Sequence, residues 1–364
     1  MDQAQIESQI DGALRQIEDP HTGRDLVSAK SVRNIAVDGS AVTVEIVLGY
    51  PARSWADELA ETVRAELVRI EGVDSVEVKV DWKIISHTVQ KGVKPLDGVK
   101  NMIAVASGKG GVGKSTVAVN LALALSAEGA RVGILDADIY GPSQPRMLGI
   151  TGKPESKDGK SMEPLTAYGL QAMSIGFLID EETPMIWRGP MVTQALEQML
   201  KDTRWNDLDY LVIDLPPGTG DTQLTLAQRV PVTGAVIVTT PQDIALLDAR
   251  KAYRMFEKVE IPVLGVVENM STHICSQCGH EEHVFGEGGG QGMASQYDVA
   301  FLGDLPLDMQ IRIDADGGKP SVISDPDGRI AQRYKAISRR VAAAIATRKK
   351  DYSAKFPSIV VENS

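Results

Sequence analysis

The feature that most constrains this chain is a glycine-rich segment at positions 108–116, which reads GKGGVGKST. It fits the pattern G-x-x-x-x-G-K-[ST], in which glycines let backbone N–H groups turn towards phosphate oxygens and a following helix presents its positive end. The apolar run Met102–Ala106 before it predicts a strand, and Lys114–Ser126 after it predicts a helix. The sequence therefore predicts a phosphate-binding loop between a strand and a helix, as in P-loop nucleotide hydrolases.

The same segment predicts its own chemistry. Lys114 would reach the β- and γ-phosphates of a nucleotide, and the hydroxyl of Ser115 would ligate Mg²⁺. The predicted nucleotide contacts are Gly108, Lys109, Gly110, Gly111, Val112, Gly113, Lys114, Ser115 and Thr116. The glycines also spell G-x-G-x-x-G, with Asp136 placed as a ribose-binding acid would be. A dinucleotide site has no need of the Lys-Ser-Thr run, and Asp214 at a later strand end supplies the second acid of a P-loop site, so the P-loop interpretation is favoured.

Length and charge limit the remaining function classes. A chain of 364 residues is long enough for about two domains. Its net charge of −11 argues against a nucleic-acid partner. Two cysteines cannot form a disulfide framework, which is typical of a reduced, cytoplasmic chain. The sequence shows neither a secretory signal nor an apolar stretch long enough to span a bilayer, so we expect no membrane partner.

Periodicity predicts an α/β fold in four parts. The parts are a small α+β domain at 1–82, a linker at 83–101, a P-loop ATPase domain at 102–350 and a C-terminal tail at 351–364. In the third part, short apolar, β-branched runs predict a mainly parallel sheet flanked by helices. The apolar spacing at 330–346 predicts a helix packed on that sheet, and the glycine-rich stretch 287–292 predicts a flexible loop.

Lys109 departs from a generic P-loop. It resembles the signature lysine of the deviant Walker-A family, which includes division-site, plasmid-partitioning and nitrogenase iron-protein ATPases. The resemblance implies a homodimer in which this lysine reaches the partner's nucleotide. It also implies that Asp138 orients the attacking water, that Asp136 lies near Mg²⁺ and that Asp214 holds Mg²⁺ through water. The predicted catalytic residues are thus Lys109, Lys114, Asp138 and Asp214.

The nucleotide is predicted to be ATP. The sequence contains no N-K-x-D after a later strand, the motif that would indicate guanine. Instead Glu268-Asn269-Met270 follows the apolar run Val263–Val267. In the relatives the matching asparagine contacts the adenine, so the resemblance implies this role for Asn269.

Both cysteines lie in one CxxC, formed by Cys275 and Cys278. Two thiols this close can chelate one metal or form a redox disulfide, or they can be inert buried side chains. With His280 and His283 one chain offers four zinc ligands, although their spacing is tight for a tetrahedral site. An iron–sulfur cluster commonly takes four thiolates, which two chains could supply together. From the residues alone these alternatives stay open.

Over the whole ATPase part the chain resembles the Mrp/ApbC-type iron–sulfur cluster carrier ATPases. The matching segments are DADIYGPSQP at 136–145, MIWRGPM at 185–191, DLPPGTGD at 214–221, ENMS at 268–271 and the CxxC. The resemblance implies an ATPase that binds a [4Fe–4S] cluster between two subunits through Cys275 and Cys278 and transfers it to apo iron–sulfur proteins. No role follows for Arg188-Gly189-Pro190.

The first 80 residues resemble the small domain of iron–sulfur assembly factors, which often carries a cysteine at its second helix. Here the stretch Gly49–Ser54 contains none, so a docking role is expected. Two other functions compete with the carrier: a positioning or partitioning ATPase, and a zinc-stabilised interaction protein with an ATP site. The acidic charge and the CxxC disfavour the positioning or partitioning ATPase. Metal analysis would distinguish the zinc-stabilised protein from the carrier, because it would show bound zinc in place of a cluster.

Overall fold

The computed structural model describes residues 3–179, 189–275 and 277–350, with Gly189 and Pro190 described in their backbone alone. The predicted tail at 351–364 and Arg188 lie outside the described residues.

The N-terminal region is a three-stranded sheet packed against helices. Its elements are α1 (Gln3–Leu14), β1 (Glu18–Asp19), β2 (Arg24–Asp25), β3 (Val32–Asp38), β4 (Ala41–Leu48), α2 (Ala56–Leu67) and β5 (Ser75–Trp82). In the sheet, β4 pairs antiparallel with β3 and parallel with β5. Leu59, Val63 and Leu67 recur every four residues on α2 and are buried, each contributing about 1.5–3 kcal/mol to the hydrophobic stabilisation. The small α+β unit predicted from the sequence is confirmed.

The rest of the described chain is built on one large sheet. Its strands are β6 (Val99–Ala106), β7 (Val132–Asp136), β8 (Leu165–Ala167), β9 (Leu170–Ser174), β10 (Leu208–Asp214), β11 (Gly234–Thr239), β12 (Val263–Glu268) and β15 (Ala300–Asp304), with a separate hairpin of β13 (His273–Ile274) and β14 (Glu281–Glu282). The order across the sheet is β15-β12-β11-β6-β10-β7-β9-β8, and each pairing is parallel except β8 with β9. Strands β7, β10 and β11 are buried along their whole length, which explains their apolar sequences. The predicted parallel α/β fold is confirmed.

Helices lie against this sheet. They are α3 (Lys114–Ala127), α4 (Gln144–Met147), α5 (Gly189–Asp202), α6 (Asp221–Arg229), α7 (Asp243–Lys258), α8 (Gly289–Gln296), α9 (Met309–Asp316), α10 (Ser321–Ser324) and α11 (Arg329–Ala346), with a 3₁₀ turn at Ile175–Phe177. The last helix, α11, packs on α3 and β15 and buries Tyr334, Ile337 and Val341, as its apolar spacing predicted. Within the described ranges, no helix combines the length and apolar character needed to cross a lipid bilayer.

Two local expectations differ from the structure. The stretch predicted as a flexible loop at 287–292 contains the start of α8, which buries Met293 and Ala294. Its glycines are recruited into a helix because the buried carboxylate of Glu268 accepts the N–H of Gly290, a tertiary contact that periodicity does not show. In addition, β6 begins at Val99, inside the predicted linker, because its first residues pair with β10.

The two regions meet at the C-terminal end of α3. There the fully buried carboxylate of Glu128 accepts hydrogen bonds from the backbone N–H of Ser54 at 2.9 Å and from the guanidinium of Arg339 at 2.7 Å. Arg339 also donates from Nε to His21 Nε2 at 3.0 Å. The helix that begins at the phosphate-binding loop therefore ends on the N-terminal region.

Candidate functional site

The glycine-rich loop connects β6 to α3 and needs glycine at particular positions. Gly113, directly before the helix, has φ of +81°, and a Cβ there would lie 2.2 Å from the side-chain nitrogen of Asn269. A Cβ on Gly108 would lie 2.1 Å from the backbone carbon of Asp248 in α7. At Gly110 and Gly111, by contrast, a Cβ would meet nothing within 4 Å. The loop is thus held tightly at both ends and open in the middle, where phosphate would approach.

A cavity of about 360 Å³ opens over the loop. Its lining includes Lys109, Gly110, Gly111, Gly113, Lys114, Ser115, Thr116 and Asp138 of the predicted site, together with Ser107, Gly141, Ser143, Met147, Pro217 and Met270. The predicted residues Gly108, Val112, Asp214 and Asn269 do not line it. Val112, Asp214 and Asn269 are buried behind the cavity surface, and Gly108 packs against α7.

Lys114 and Asp214 form a buried ion pair at the floor of the site. The Lys114 ammonium also donates to Ser115 Oγ at 3.1 Å. The other carboxylate oxygen of Asp214 accepts from Gln144 Nε2 at 2.8 Å, and the same amide group donates to the carbonyl of Ser115 at 3.1 Å. Lys114, Ser115 and Asp214 therefore lie together, as a magnesium-nucleotide site requires.

The Asp136 carboxylate accepts hydrogen bonds mainly from the loop at 138–144 that follows it. One oxygen accepts the N–H groups of Ser143 and Gln144 at 3.0 and 3.1 Å and the hydroxyl of Ser174 at 3.1 Å, and the other accepts the N–H of Asp138 at 3.2 Å. Burial, together with the carboxylate of Asp214 on the adjacent strand, raises the pKa of Asp136 above its ordinary value. These bonds fold residues 138–144 over the cavity and place Asp138 in its wall.

Asp138 is half-buried in that wall. Burial raises the pKa of its carboxyl group, and the positive charge of Lys114 opposes this shift. A carboxyl group tuned in this way, beside the phosphate-binding loop, has the position and chemistry to orient a water molecule.

The loop fits a magnesium nucleotide. Its open glycines offer backbone N–H groups, and Lys114 supplies the cation for the phosphates. Two further oxygens, Ser143 Oγ and Gln144 Oε1, are buried without a hydrogen-bond partner in the described part of the chain. Oxygen ligands of this kind suit Mg²⁺ and the water molecules it carries.

A short segment from Asn269 to Cys275, called the strap below, joins the nucleotide loop to the cysteines. Asn269 Nδ2 donates to the carbonyl of Val112 at 2.9 Å, and its backbone N–H donates to Thr239 at 2.8 Å. Six residues further along the chain comes Cys275. Next to Asn269, Glu268 accepts from Ser271 Oγ at 2.7 Å and from the N–H of Gly290, so it ties this strap to α8 beyond the cysteines.

The cysteines sit at the tip of the β13–β14 hairpin. Cys275 is half-buried and Cys278 is exposed, and both are free thiols. The Cys275 N–H donates to the His280 carbonyl and its own carbonyl accepts from Gly279, each at 2.9 Å, which closes the turn. Backbone N–H groups of Gln277 and Cys278, together with the Cys278 thiol, lower the pKa of Cys275. The turn therefore favours the thiolate, the form that binds metal.

Two histidines near the hairpin hold backbone carbonyls with one ring nitrogen each. His283 Nδ1 lies 3.1 Å from the Ser271 carbonyl, and His273 Nδ1 lies 3.1 Å from the Leu307 carbonyl. Among residues 3–179, 189–275 and 277–350, no group of three or more histidine, cysteine or acidic side chains is placed to hold a metal ion. The four-ligand zinc set from one chain is thus not assembled in the described structure.

Three residues that organise the site received no role from the sequence. Gln144 and Ser174 bind the carboxylates of Asp214 and Asp136, and Glu268 binds α8. Gln144 lies in the DADIYGPSQP segment, so its position in that motif was a usable signal. Glu268 likewise lies in the ENMS segment, whereas Ser174 carries no local signal, because its partner Asp136 lies far away in the sequence.

The fold and the loop define a P-loop NTPase with a parallel sheet. Residues 98–342 match the family model of the NUBPL iron-transfer P-loop NTPases, and residues 7–80 match that of an iron–sulfur cluster assembly protein domain. The chain belongs to this family of iron–sulfur cluster carrier P-loop NTPases, with an assembly-type N-terminal domain.

Curated relatives agree with this placement. The chain is 51% identical over 341 residues to an iron–sulfur cluster carrier protein of Escherichia coli (strain K12), covering 93% of this chain and 92% of that one. It is 62% identical over 271 residues to a carrier protein of Pseudomonas fragi, covering 74% and 94%. A mouse iron–sulfur cluster transfer protein, NUBPL, is 52% identical over 250 residues, covering 68% and 78%.

Solved structures share the ATPase fold. A nucleotide-binding protein from Archaeoglobus fulgidus, in complex with ADP and with cobalt, aligns with a TM-score of 0.55 at 38% identity, covering 64% of this chain and 90% of that one. The cell division ATPase MinD of Pyrococcus furiosus aligns with a TM-score of 0.51 at 21% identity, covering 66% and 98%, which is a likeness of fold alone.

Proposed function

We propose that this carrier binds a [4Fe–4S] cluster between two copies of the chain, held by Cys275 and Cys278 of each, and transfers it to apo iron–sulfur proteins. The observation that carries the proposal is the hairpin tip. It offers two thiols, favours the thiolate of Cys275, and has no third metal ligand beside it in the described part of one chain. Four thiolates suit such a cluster, so a second chain has to supply the other pair.

The proposed dimer face lies beside the loop and the hairpin. Ile244 and Leu247 are exposed on the first turns of α7, the helix whose Asp248 touches Gly108. Val284 is exposed just after β14, close to Gly286, which approaches Pro241 at the start of the same helix. Apolar side chains around these sites would be covered by the second copy. In that arrangement Lys109 reaches the partner's nucleotide.

We assign ATP hydrolysis to the residues around the loop. Lys109, Lys114 and the backbone of residues 108–116 hold the phosphates, and Asp138 orients the attacking water. Ser115 would hold Mg²⁺ directly and Asp214 would hold it through water, and the bound ion would supply positive charge for the phosphate oxygens. The resemblance assigns Asn269 to the adenine, and this contact would require its amide to leave the Val112 carbonyl behind the loop. The free thiols require a reducing setting, so we place the activity in the cytoplasm.

The strap supplies the proposed coupling between hydrolysis and transfer. A nucleotide that moves the loop also moves the carbonyl of Val112, to which Asn269 is bonded. The chain from Asn269 to Cys275 is short, and Glu268 anchors both its start and α8. A change at the phosphate site is therefore transmitted to the hairpin through a few bonded groups.

The cluster proposal is tested by anaerobic reconstitution with iron and sulfide. Wild-type protein is expected to take up about four iron atoms per two chains and to become dimeric, as measured by iron analysis and light scattering. Cys275→Ser should lose the cluster while keeping nucleotide binding. Ser295→Ala, an exposed change beyond the hairpin, is the matched control. A cluster that persists in Cys275→Ser, or stoichiometric zinc with no cluster after anaerobic purification, contradicts the proposal.

The coupling proposal is tested by transfer to an apo iron–sulfur enzyme. Loaded wild-type protein is compared with Lys114→Ala, with and without ATP, and Lys201→Ala on the exposed face of α5 is the control. We expect transfer to respond to ATP in the wild type and the control, and to lose this response in Lys114→Ala. Equal transfer rates in all samples would contradict the coupling proposal without contradicting the cluster proposal.

A further inference from the structure

A second cavity lies away from the nucleotide loop, between the N-terminal domain and the end of α11. Its volume is about 400 Å³. Residues 24–49 of the N-terminal domain and residues 83–87 just after β5 form one side, and Ala346, Thr347, Arg348 and Lys350 form the other. Gly49 and Ala346 mark the closest approach of the two sides, where a Cβ on the glycine would lie 3.0 Å from that of Ala346.

The lining of this cavity is strongly cationic in a chain of net charge −11. It contains five basic side chains and no acidic one: Arg24, Lys30, Lys83, Arg348 and Lys350. None of the five forms an ion pair within the described part of the chain. Arg131 and Arg339 elsewhere show the contrast, because both bind carboxylates. Five like charges around one small cavity repel each other unless an anion is present.

Buried polar atoms in the same cavity wall also lack partners. His87 Nδ1 lies 3.0 Å from Asn101 Oδ1, and because the amide nitrogen of Asn101 donates to Ile85, that oxygen accepts and His87 Nδ1 carries the proton. This leaves His87 Nε2 buried with no partner in the described structure, and the same is true of Arg348 Nε. Burial lowers the pKa of His87, as does the charge of Lys350, and burial lowers the pKa of Arg348. Burial disfavours the charged form of both side chains, so in this wall Arg348 Nε is the buried donor that lacks a partner.

We propose that this cavity is a binding site for a small anion that carries at least two phosphate groups. Phosphate groups concentrate more charge in such a volume than carboxylates do, and two arginines can bind them bidentately while lysines act as point charges. The hydroxyl of Ser31 in the wall adds a neutral donor. The cavity is open to solvent on one side and has a volume of about 400 Å³, which suits a small ligand rather than a nucleic-acid strand.

Such a ligand would bridge the two domains. Arg24 and Lys83 belong to the N-terminal side, whereas Arg348 and Lys350 follow α11 of the ATPase domain. Binding would therefore fasten the N-terminal domain to the ATPase, near the junction of Glu128 with Arg339. The inference is independent of the proposed cluster chemistry, since neither cysteine takes part.

The test is a calorimetric titration with inorganic pyrophosphate, using cluster-free full-length protein in magnesium-free buffer. A Lys114→Ala background weakens phosphate binding at the nucleotide loop. On this background, Lys83→Gln with Lys350→Gln is compared with Lys79→Gln with Lys349→Gln, whose lysines are close in sequence but do not line the cavity. We expect the first pair to weaken binding by about tenfold or more and the control pair to leave it unchanged.

Hydrogen exchange then identifies where on the protein pyrophosphate binds. Pyrophosphate should slow exchange in peptides covering 24–31 and 83–88, and this protection should disappear in the Lys83 and Lys350 double variant. The proposal is overturned by the absence of pyrophosphate binding, by equal weakening in both variant pairs, or by citrate binding as tightly as pyrophosphate.

Discussion

At the scale of single residues, β10 carries two aspartates with opposite tasks. Asp214, at the carboxyl end, lies in the nucleotide site and is bonded to Lys114 and Gln144. Asp209, near the other end, binds Lys100 at 2.7 Å and the guanidinium of Arg131 at 3.1 Å. The same residue type thus pairs with Lys114 in the proposed nucleotide site at one end of the strand and with Lys100 and Arg131 at the other.

Asp214→Asn should separate these tasks. The amide can still fill the space but no longer neutralises Lys114 or holds the water of Mg²⁺, so we expect ATP hydrolysis to fall by about a hundredfold, measured as phosphate release. Asp209→Asn is the matched control on the same strand and should keep hydrolysis close to the wild-type rate. Equal losses in the two variants would mean that Asp214 acts only through folding.

Asp209 also makes stability depend on pH. Burial acts to raise the pKa of its carboxyl group, but hydrogen bonds from Arg131 and Lys100 outweigh it and the net pKa is lowered. A lowered pKa in the folded state contributes stability above the ordinary value, and this stability is lost as the pH falls through the folded value. The wild type should therefore exceed Asp209→Asn in its urea midpoint at about pH 7, and the difference should shrink towards zero at about pH 2.

At the scale of elements, the phosphate-binding loop is anchored by its contact with α7. In Gly108→Ala the new Cβ would overlap the backbone of Asp248, and that backbone cannot rotate away. We expect the free energy of unfolding to fall by about 2–4 kcal/mol, measured by denaturant titration without nucleotide.

Gly110→Ala, two residues along in the same loop, is the control for this prediction. A Cβ there meets nothing within 4 Å, so the free energy of unfolding should change by less than about 1 kcal/mol. If the free energy of unfolding falls equally in Gly108→Ala and Gly110→Ala, the contact between the loop and α7 does not stabilise the loop.

Elements also differ in how well the sequence predicts them. Helix α3 and strand β12 are rich in apolar residues, and their predicted bounds, Lys114–Ser126 and Val263–Val267, lie close to the observed Lys114–Ala127 and Val263–Glu268. The glycines of α8 predicted a loop, whereas Glu268, more than twenty positions earlier, accepts from Gly290 N–H at the helix start. Local propensity is a weak preference, and a buried hydrogen bond to a distant residue overrides it.

At the scale of the whole molecule, the Glu128–Arg339 pair of the ATPase domain binds Ser54 and His21 of the N-terminal domain. In Arg339→Ala the buried carboxylate would lose its counter-charge, so we expect the free energy of unfolding to fall by about 3–5 kcal/mol. Hydrogen exchange around Ser54, whose N–H is bonded to Glu128, should become faster in the same variant.

Arg312→Ala is the control for this junction. Arg312 pairs with Asp316 on the exposed surface of α9, and such pairs contribute little, so its removal should change the free energy of unfolding by less than about 1 kcal/mol. A destabilisation in Arg339→Ala no larger than in this control would show that the domains are held together mainly by other contacts.

The sequence by itself determined the parts of this protein that depend on local pattern: the GKGGVGKST loop, the apolar strands and the CxxC. These follow from backbone freedom and short-range periodicity, which neighbouring residues specify. Only the tertiary structure decided that Gln144 holds Asp214, that Glu128 meets Arg339, and that five basic side chains line one cavity of an acidic chain. The reason is that charge and hydrogen bonding act between residues far apart in the sequence, and only folding determines which of them meet.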